Sequence, residues 1–357
     1  MFTSHHLPLV KLAYDINHVE PVLKLINKNI VFYPAGKNYD DSRRICDLSL
    51  PPVAFIHLES GLTDKITSSA ILEYDILCGQ CHLSRCDWQA AFDAFERVLT
   101  FPTRDHGCSK IMVDAYNKWI LVGLLLKGKS QQVPPLSGQG AQRAYSTTGK
   151  PYLAVAKAFE ENEGGATALK AEIEGPATKF WAEDGNVGLI GEVVKHYQRW
   201  QIVNLRDVYS KISIEEIRRC TQSAYTGEEL AKASEVEELI QSMISSGMLS
   251  GVIEKPDGAV NGDGQGYLTF LPPGEELTEN QFAAELLDCA NRIKQLEPLV
   301  TAANERLGTS RDYIKHLVKQ ERREMDSHRG DPGVEFDSQI EDEDLMSGIL
   351  TSHPAGI

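Results

Sequence analysis

From Phe2 to about Trp200, apolar residues recur every three or four positions between short polar breaks, a period that predicts a succession of amphipathic helices. Leu7, Val10 and Tyr14 line the first predicted helix; Val19, Val22, Leu23 and Ile26 line the next, making a hairpin. An irregular stretch follows over Ile30–Pro52, with Pro34, Gly36 and the pair Pro51-Pro52. From Thr67 a second hairpin is predicted, with Ile71, Tyr74 and Cys78 on one helix and Trp88, Ala91, Phe92, Phe95 and Leu99 on the other. Further helices are predicted over Lys110–Leu126, Gln142–Asn162, Ala166–Glu183 and Val187–Val203. Stacked hairpins of this kind form a right-handed α-solenoid, here over residues 1–203.

Within the second hairpin, Gly79, Ala91, Phe95 and Pro102 are spaced 12, 4 and 7 apart. Tetratricopeptide repeats use nearly this spacing, because small residues let antiparallel helices approach closely. Near Asn204 the texture changes. Short helical segments (Leu205–Tyr209, Ile214–Thr221, Glu228–Gly247) precede two strand-like runs, Leu249–Glu254 and Tyr267–Leu271, separated by Gly-rich turns. Three short helices followed by a β-hairpin are the order of a winged helix, assigned to residues 204–274, with Pro272-Pro273-Gly274 closing it. The hairpin is predicted to present a pairing edge through Val252, Ile253, Tyr267, Thr269 and Phe270.

Residues 275–329 are expected to form C-terminal bundle helices. Phe282, Leu286, Cys289, Ile293, Leu296, Val300, Ala303 and Leu307 are spaced 4-3-4-3-4-3-4, a heptad seam on one helix face. Pro298 is predicted to kink that helix, since its ring removes a backbone hydrogen bond. Gly308-Thr309-Ser310 reads as a stop and a new N-cap, with Ile314, Leu317 and Val318 lining a second helix. The fold class is therefore mainly α: a solenoid, a winged helix with a small hairpin or sheet, then C-terminal helices.

Charge narrows the functions. The 357 residues carry a net charge of −15. Seven acids and no Lys or Arg follow from Asp331, so residues 330–357 read as an acidic, disordered tail. Over 201–274, six basic residues face eleven acids, and the recognition-helix candidate opens on Glu235, Glu237 and Glu238. A groove reader needs cations there, so this winged helix is predicted to bind protein and no nucleic acid. No apolar run reaches the roughly 18 residues that span a bilayer, which predicts no membrane association. The start of the chain lacks a basic segment with an apolar core, so no secretory signal is expected. Seven cysteines fit reduced thiols of nucleus or cytoplasm.

Two motifs promise chemistry and fail on context. Gly123 to Ser130 fits the phosphate-loop expression G-x-x-x-x-G-K-[ST]. Its loop, however, is Leu124, Leu125, Leu126 and Lys127, which continues an apolar helix, and Pro134-Pro135 forbids a helix directly after it. Cys78, Cys81 and His82 fit a haem-attachment string, with Cys86 nearby, but zinc would need four ligands and no second pair is present. Both cysteines read as space-filling residues of a helix. No His-x-His, His-Glu-x-x-His or G-x-S-x-G occurs. No catalytic residue, metal or cofactor is expected.

A helical array running into an acidic winged helix resembles the PCI module of the proteasome lid, the COP-nine signalosome and translation initiation factor three. Leu205, Tyr209, Ile212 and Ile217 carry the likeness, as do Glu235, Glu237, Ile240, Met243, Ile244, Gly247, Leu249, Gly251 and Ile253. Ala115 to Lys129 with Gln131, Gln132 and Pro134, and Asp184 to Ile190, resemble most closely the subunit-three family of the signalosome. The likeness covers about Thr67 to Tyr267 well. It implies a non-catalytic scaffold in the complex that removes Nedd8 from cullins and so regulates cullin–RING ubiquitin ligases. The zinc isopeptidase of that complex lies in another subunit. The likeness further implies that winged helices pair edge to edge while C-terminal helices share a bundle. On this reading Phe282, Leu286, Cys289, Ile293, Leu296, Val300, Leu307, Ile314 and Leu317 are bundle contacts, and other PCI and signalosome subunits are partners. Family members carry further helical repeats upstream, which implies that this chain begins partway into the array. A proteasome-lid subunit or a nucleic-acid or export adaptor is the alternative.

Overall fold

The computed structural model describes residues 1–28, 30, 32–34, 56, 58–103, 107–161, 164–229, 232–254, 266–271, 279–308 and 313–319. The expected tail from 330, the Pro272-Pro273-Gly274 closure, the Thr309-Ser310 cap and most of the stretch over 30–52 lie outside them. The chain divides into two units, Met1–Leu286 and Leu287–Ile357.

The first unit opens with α1 (His6–Asp15) and the short α2 (Leu23–Ile26). Phe2, Val10, Ala13, Val19, Val22 and Ile26 are buried in one cluster with Tyr74, Leu77, Cys78 and Cys81. Tyr14, expected on the buried face of α1, is exposed; the face turns instead toward the small Ala13, and α1 packs on the helix over Ser68–Leu83.

Three long helices follow: α3 (Ser68–Leu83), α4 (Trp88–Leu99) and α5 (Lys110–Lys127). Each begins at a side chain that accepts an otherwise orphaned backbone N–H: Thr67 from Ala70, Asp87 from Ala90 and Ser109 from Ile111, all at 3.2 Å. The repeat-like spacing has a direct cause. A Cβ on Gly79 would lie 2.4 Å from Phe95 Cε1, so only glycine lets α3 and α4 close on that ring. From α4 into α5 runs a stack of rings, Phe92 on Trp119 at 5.1 Å and Trp119 beside Tyr116 at 6.2 Å.

Beyond α5 lie α6 (Gln139–Thr148), α7 (Lys150–Glu160), α8 (Gly165–Glu174), α9 (Thr178–Glu183) and α10 (Val187–Leu205). Tyr145 of α6 continues the ring stack onto Tyr116 at 4.7 Å. The single helices expected over Gln142–Asn162 and Ala166–Glu183 are each two. Gly149 breaks the first where a Cβ would meet Tyr116 at 2.6 Å, and Pro151 sits in the first turn of the restart. Gly175 and Pro176 break the second. The corner from Asp184 to Asn186 is held by polar side chains. Gly185 takes a left-handed φ of 68°, Asn186 donates to Tyr152 Oη at 2.8 Å, and Tyr152 donates to Asp184 Oδ2 at 2.6 Å.

α10 joins two cores. Val193, Val194 and Tyr197 belong to the helical-array core, whereas Ile202 belongs to the winged-helix core. The division expected at 203/204 thus falls inside a helix. The segment expected to be helical over Leu205–Tyr209 is the end of α10 and a turn. Then come β1 (Lys211–Ser213), α11 (Ile214–Cys220), α12 (Ala233–Ser245), β2 (Gly251–Glu254) and β3 (Tyr267–Phe270). The strands form one antiparallel sheet in the order β1-β3-β2. Ile212, Ile214, Ile217, Val236, Ile240, Met243, Leu249 and Leu268 pack beneath it.

α13 (Glu279–Gly308) starts in the first unit and continues into the second, and it runs unbroken through Pro298. Residues 313–319 are helical as well.

Candidate interaction surfaces

The two chemical motifs are parts of the framework. Gly123 lies inside α5, and Gly128 ends that helix with a left-handed φ of 66°; a Cβ there would sit 2.5 Å from Trp200 Cε3. Ser130 donates its N–H to Glu160. Among the described residues no strand precedes the motif, and α6 begins only at Gln139, so its backbone N–H groups do not form a phosphate cradle at a helix start. Cys78 and Cys81 are buried in the core against α1, and burial raises the pKa of both thiols. His82 is buried too, which lowers its pKa, and its Nδ1 lies 3.6 Å from Asp87.

The winged-helix region carries the expected hairpin, β2–β3, within a three-stranded sheet. Tyr267, Thr269 and Phe270 were predicted at a free edge, yet β3 is the middle strand. Its partner on one side is β2, with Val252 opposite Thr269 and Glu254 opposite Tyr267. On the other side is β1, with Ile212 opposite Leu268. The correction comes from β1, three residues with a single apolar side chain, too short to read as a strand by alternation. Phe270 is 7% exposed and packs in the core, so it presents no side chain to a partner.

The hydrogen bonds show which groups remain available. Phe270 and Ile214 donate across the β1–β3 ladder, to Ser210 and Gly266, and Leu271 donates to Ser250 of the β2 side. Pairing therefore uses Ser250, Val252 and Glu254 on the inner side of β2, and Gly251 and Ile253 turn their N–H and C=O groups to its outer edge. Ile253 keeps its side chain half-buried in the core while its backbone faces out. Val252, 48% exposed, shares the outer sheet face with Thr269, Tyr267 and Glu254. Lys211 of β1 reaches across this face, paired with Glu254 and 5.3 Å above the Tyr267 ring. That lysine, with Thr269 donating at 3.2 Å, holds the Glu254 carboxyl below its ordinary pKa.

On α12, Val236, Ile240 and Met243 face the core, and Glu235 and Glu238 face solvent. On α13 the predicted seam is exposed: Leu286 at 55% and Ile293 at 66%, with Phe282, Cys289, Leu296, Val300 and Leu307 likewise, and Ala303 half-buried. Leu287, absent from the predicted seam, is exposed beside it. In the helix over 313–319, Ile314, Leu317 and Val318 are exposed. Sequence reading also missed the exposed Leu9 and Leu12 of α1 and Ile16 at its C-cap, whose spacing of 3 and 4 was available as a signal. Among the described residues no helix is long and apolar enough to cross a membrane.

Comparison with known proteins fits this arrangement. A family model described as "COP9 signalosome complex subunit 3, N-terminal helical repeats" matches residues 1–139. COP9 signalosome complex subunit 3 of Neurospora crassa is 46% identical over 358 residues, covering 98% of this chain and 70% of its own length. The chain belongs to the COP9 signalosome subunit 3 family. The subunit 3 of Emericella nidulans is 27% identical over 97% of this chain and 68% of its own length. That of Dictyostelium discoideum is 27% identical over 73% of this chain and 59% of its own length. The segments that carried the subunit-three likeness have structural work in this fold. Ala115–Lys129 is the central core helix and its glycine stop, and Asp184–Ile190 is the hydrogen-bonded corner into α10.

Proposed function

We propose that this member of the COP9 signalosome subunit 3 family is a non-catalytic scaffold, assembled with other signalosome subunits into the complex that removes Nedd8 from cullins. The observation that carries this reading is the exposed apolar face of α13, from Phe282 through Leu286, Ile293, Leu296 and Val300. A heptad stripe is stable in water when partner helices cover it, and an uncovered stripe of this size marks an interaction surface. The outer edge of β2 supports it with two residues whose backbone groups pair with no described residue, the geometry that accepts another strand. Cullin–RING ligases are then partners only through the complex, which works in nucleus and cytoplasm. Neither nucleic acid nor membrane is needed: α12 offers carboxylates to a DNA groove where cations are required.

The test is co-purification of the signalosome through a tagged chain carrying Leu286→Asp with Ile293→Asp. The proposal expects the other subunits to be lost while the melting curve of the variant chain matches that of the parent. Full recovery of the complex with the double variant contradicts it.

A further inference from the structure

A cleft of about 590 Å³ opens where α10 leaves the helical array, between the ends of α5 and α7, the last turns of α10 and α11. Its floor is aromatic and held in place. Trp200 lies against the bare Cα of Gly128, and its indole N–H donates to the Leu125 carbonyl at 3.1 Å. Phe159 and Tyr197 meet edge to face, centroids 5.3 Å apart and planes at 79°. The rim is charged and unbalanced, with Glu160, Glu161 and Asp207 against Lys129. Glu160 accepts the Ser130 N–H. Elsewhere on this unit carboxylates such as Glu20, Asp75, Glu215 and Glu254 are ion-paired, whereas among the described residues none of the three rim carboxylates has a cationic partner. Leu205 and Val208 add apolar surface at the mouth.

We propose that this cleft receives an arginine side chain from an extended basic segment of a partner chain. A guanidinium is planar, weakly hydrated and able to stack on a fixed aromatic face while its N–H fork reaches carboxylates. The methylene stem of the arginine runs over Leu205 and Val208. An anion is repelled by the rim, and an apolar helix would bury three carboxylates without a cationic partner. No residue lining the cleft belongs to β2 or α13, so its failure leaves the assembly proposal standing, and the reverse.

The chain has four tryptophans, hence four indole N–H resonances in the full-length protein labelled with ¹⁵N-tryptophan. The probe is the peptide acetyl-Gly-Arg-Ala-Arg-Gly-amide. Saturable movement of the Trp200 resonance alone is expected, weakened about tenfold by Glu161→Gln with Asp207→Asn and abolished when glutamine replaces both arginines of the peptide. An unmoved Trp200 resonance overturns the proposal. So does equal weakening by Glu235→Gln with Glu238→Gln on α12, which would reveal diffuse attraction to an acidic chain. Equal affinity for the lysine version of the peptide overturns the choice of arginine.

Discussion

α5 and α13 are both long helices rich in apolar residues, and they meet opposite fates. α5 is buried nearly all round: Met112, Tyr116, Trp119, Ile120, Leu121, Leu124 and Leu125 disappear into neighbouring helices. α13 carries its apolar residues as a single stripe and leaves Leu286, Ile293, Leu296 and Val300 exposed. A helix apolar on all sides is an interior element of its own chain, while a one-sided stripe is made to meet something. On the proposed reading, the difference separates what this polypeptide completes alone from what it leaves to others. The same contrast divides the sheet, where among the described residues β3 is paired on both sides and β2 on one.

The largest effect that can break this comparison lies in α5. Trp119→Ala removes a buried ring from the stack with Phe92 and Tyr116, and is expected to cost about 3–5 kcal/mol in urea unfolding. A loss below 1 kcal/mol would mean that α5 is not the centre of the core. Gly128→Ala comes next. It forces an alanine into a left-handed φ against Trp200, and a loss of about 1–3 kcal/mol is expected. Tyr152→Phe opens the corner by leaving Asn186 and Asp184 without their shared hydroxyl, for about 1–2 kcal/mol.

A pH titration sharpens the picture further. Burial lowers the pKa of His6, His82 and His196, so the folded chain binds fewer protons than the unfolded one. Stability should therefore fall as pH drops below about 6.5, and be flat just above it. Asp75, raised by burial against the pull of Arg97, acts in the opposite sense only at lower, carboxylate pH. Stability that rises between pH 7 and 5.5 would contradict the buried, neutral histidines. The smallest effect belongs to β2. Ile253→Pro deletes an outward N–H that no described partner uses and trims a half-buried side chain, so melting of the isolated chain should shift less than for Trp119→Ala.

Much of the array was legible. α3, α4 and α5 begin within a residue of their expected positions because Thr67, Asp87 and Ser109 are capping side chains written directly before apolar runs. The Gly79–Phe95 spacing was readable because one close approach imposes both residues. The breaks at Gly149 and Gly175 were not, since the apolar period runs on across them and only the neighbouring prolines mark a restart. At the sheet, the strands at Gly251–Glu254 and Tyr267–Phe270 were found, but their neighbours were not. Which strand is central depends on Lys211–Ser213, whose pairing is set by tertiary contact and leaves almost no local pattern. Hence Tyr267 and Thr269 were assigned to an edge they do not occupy. The α13 seam from Phe282 to Leu307 was legible, though not the exposed Leu287 beside it, because a heptad is a property of one helix and needs no knowledge of what covers it.

Amide hydrogen exchange, compared between the purified chain and the assembled signalosome, tests the central claim most directly. The account predicts fast exchange at Gly251 and Ile253 in the chain alone and strong protection of those amides and of α13 in the complex. Exchange at both places that is unchanged by assembly would show that this chain joins its neighbours, if at all, through other surfaces.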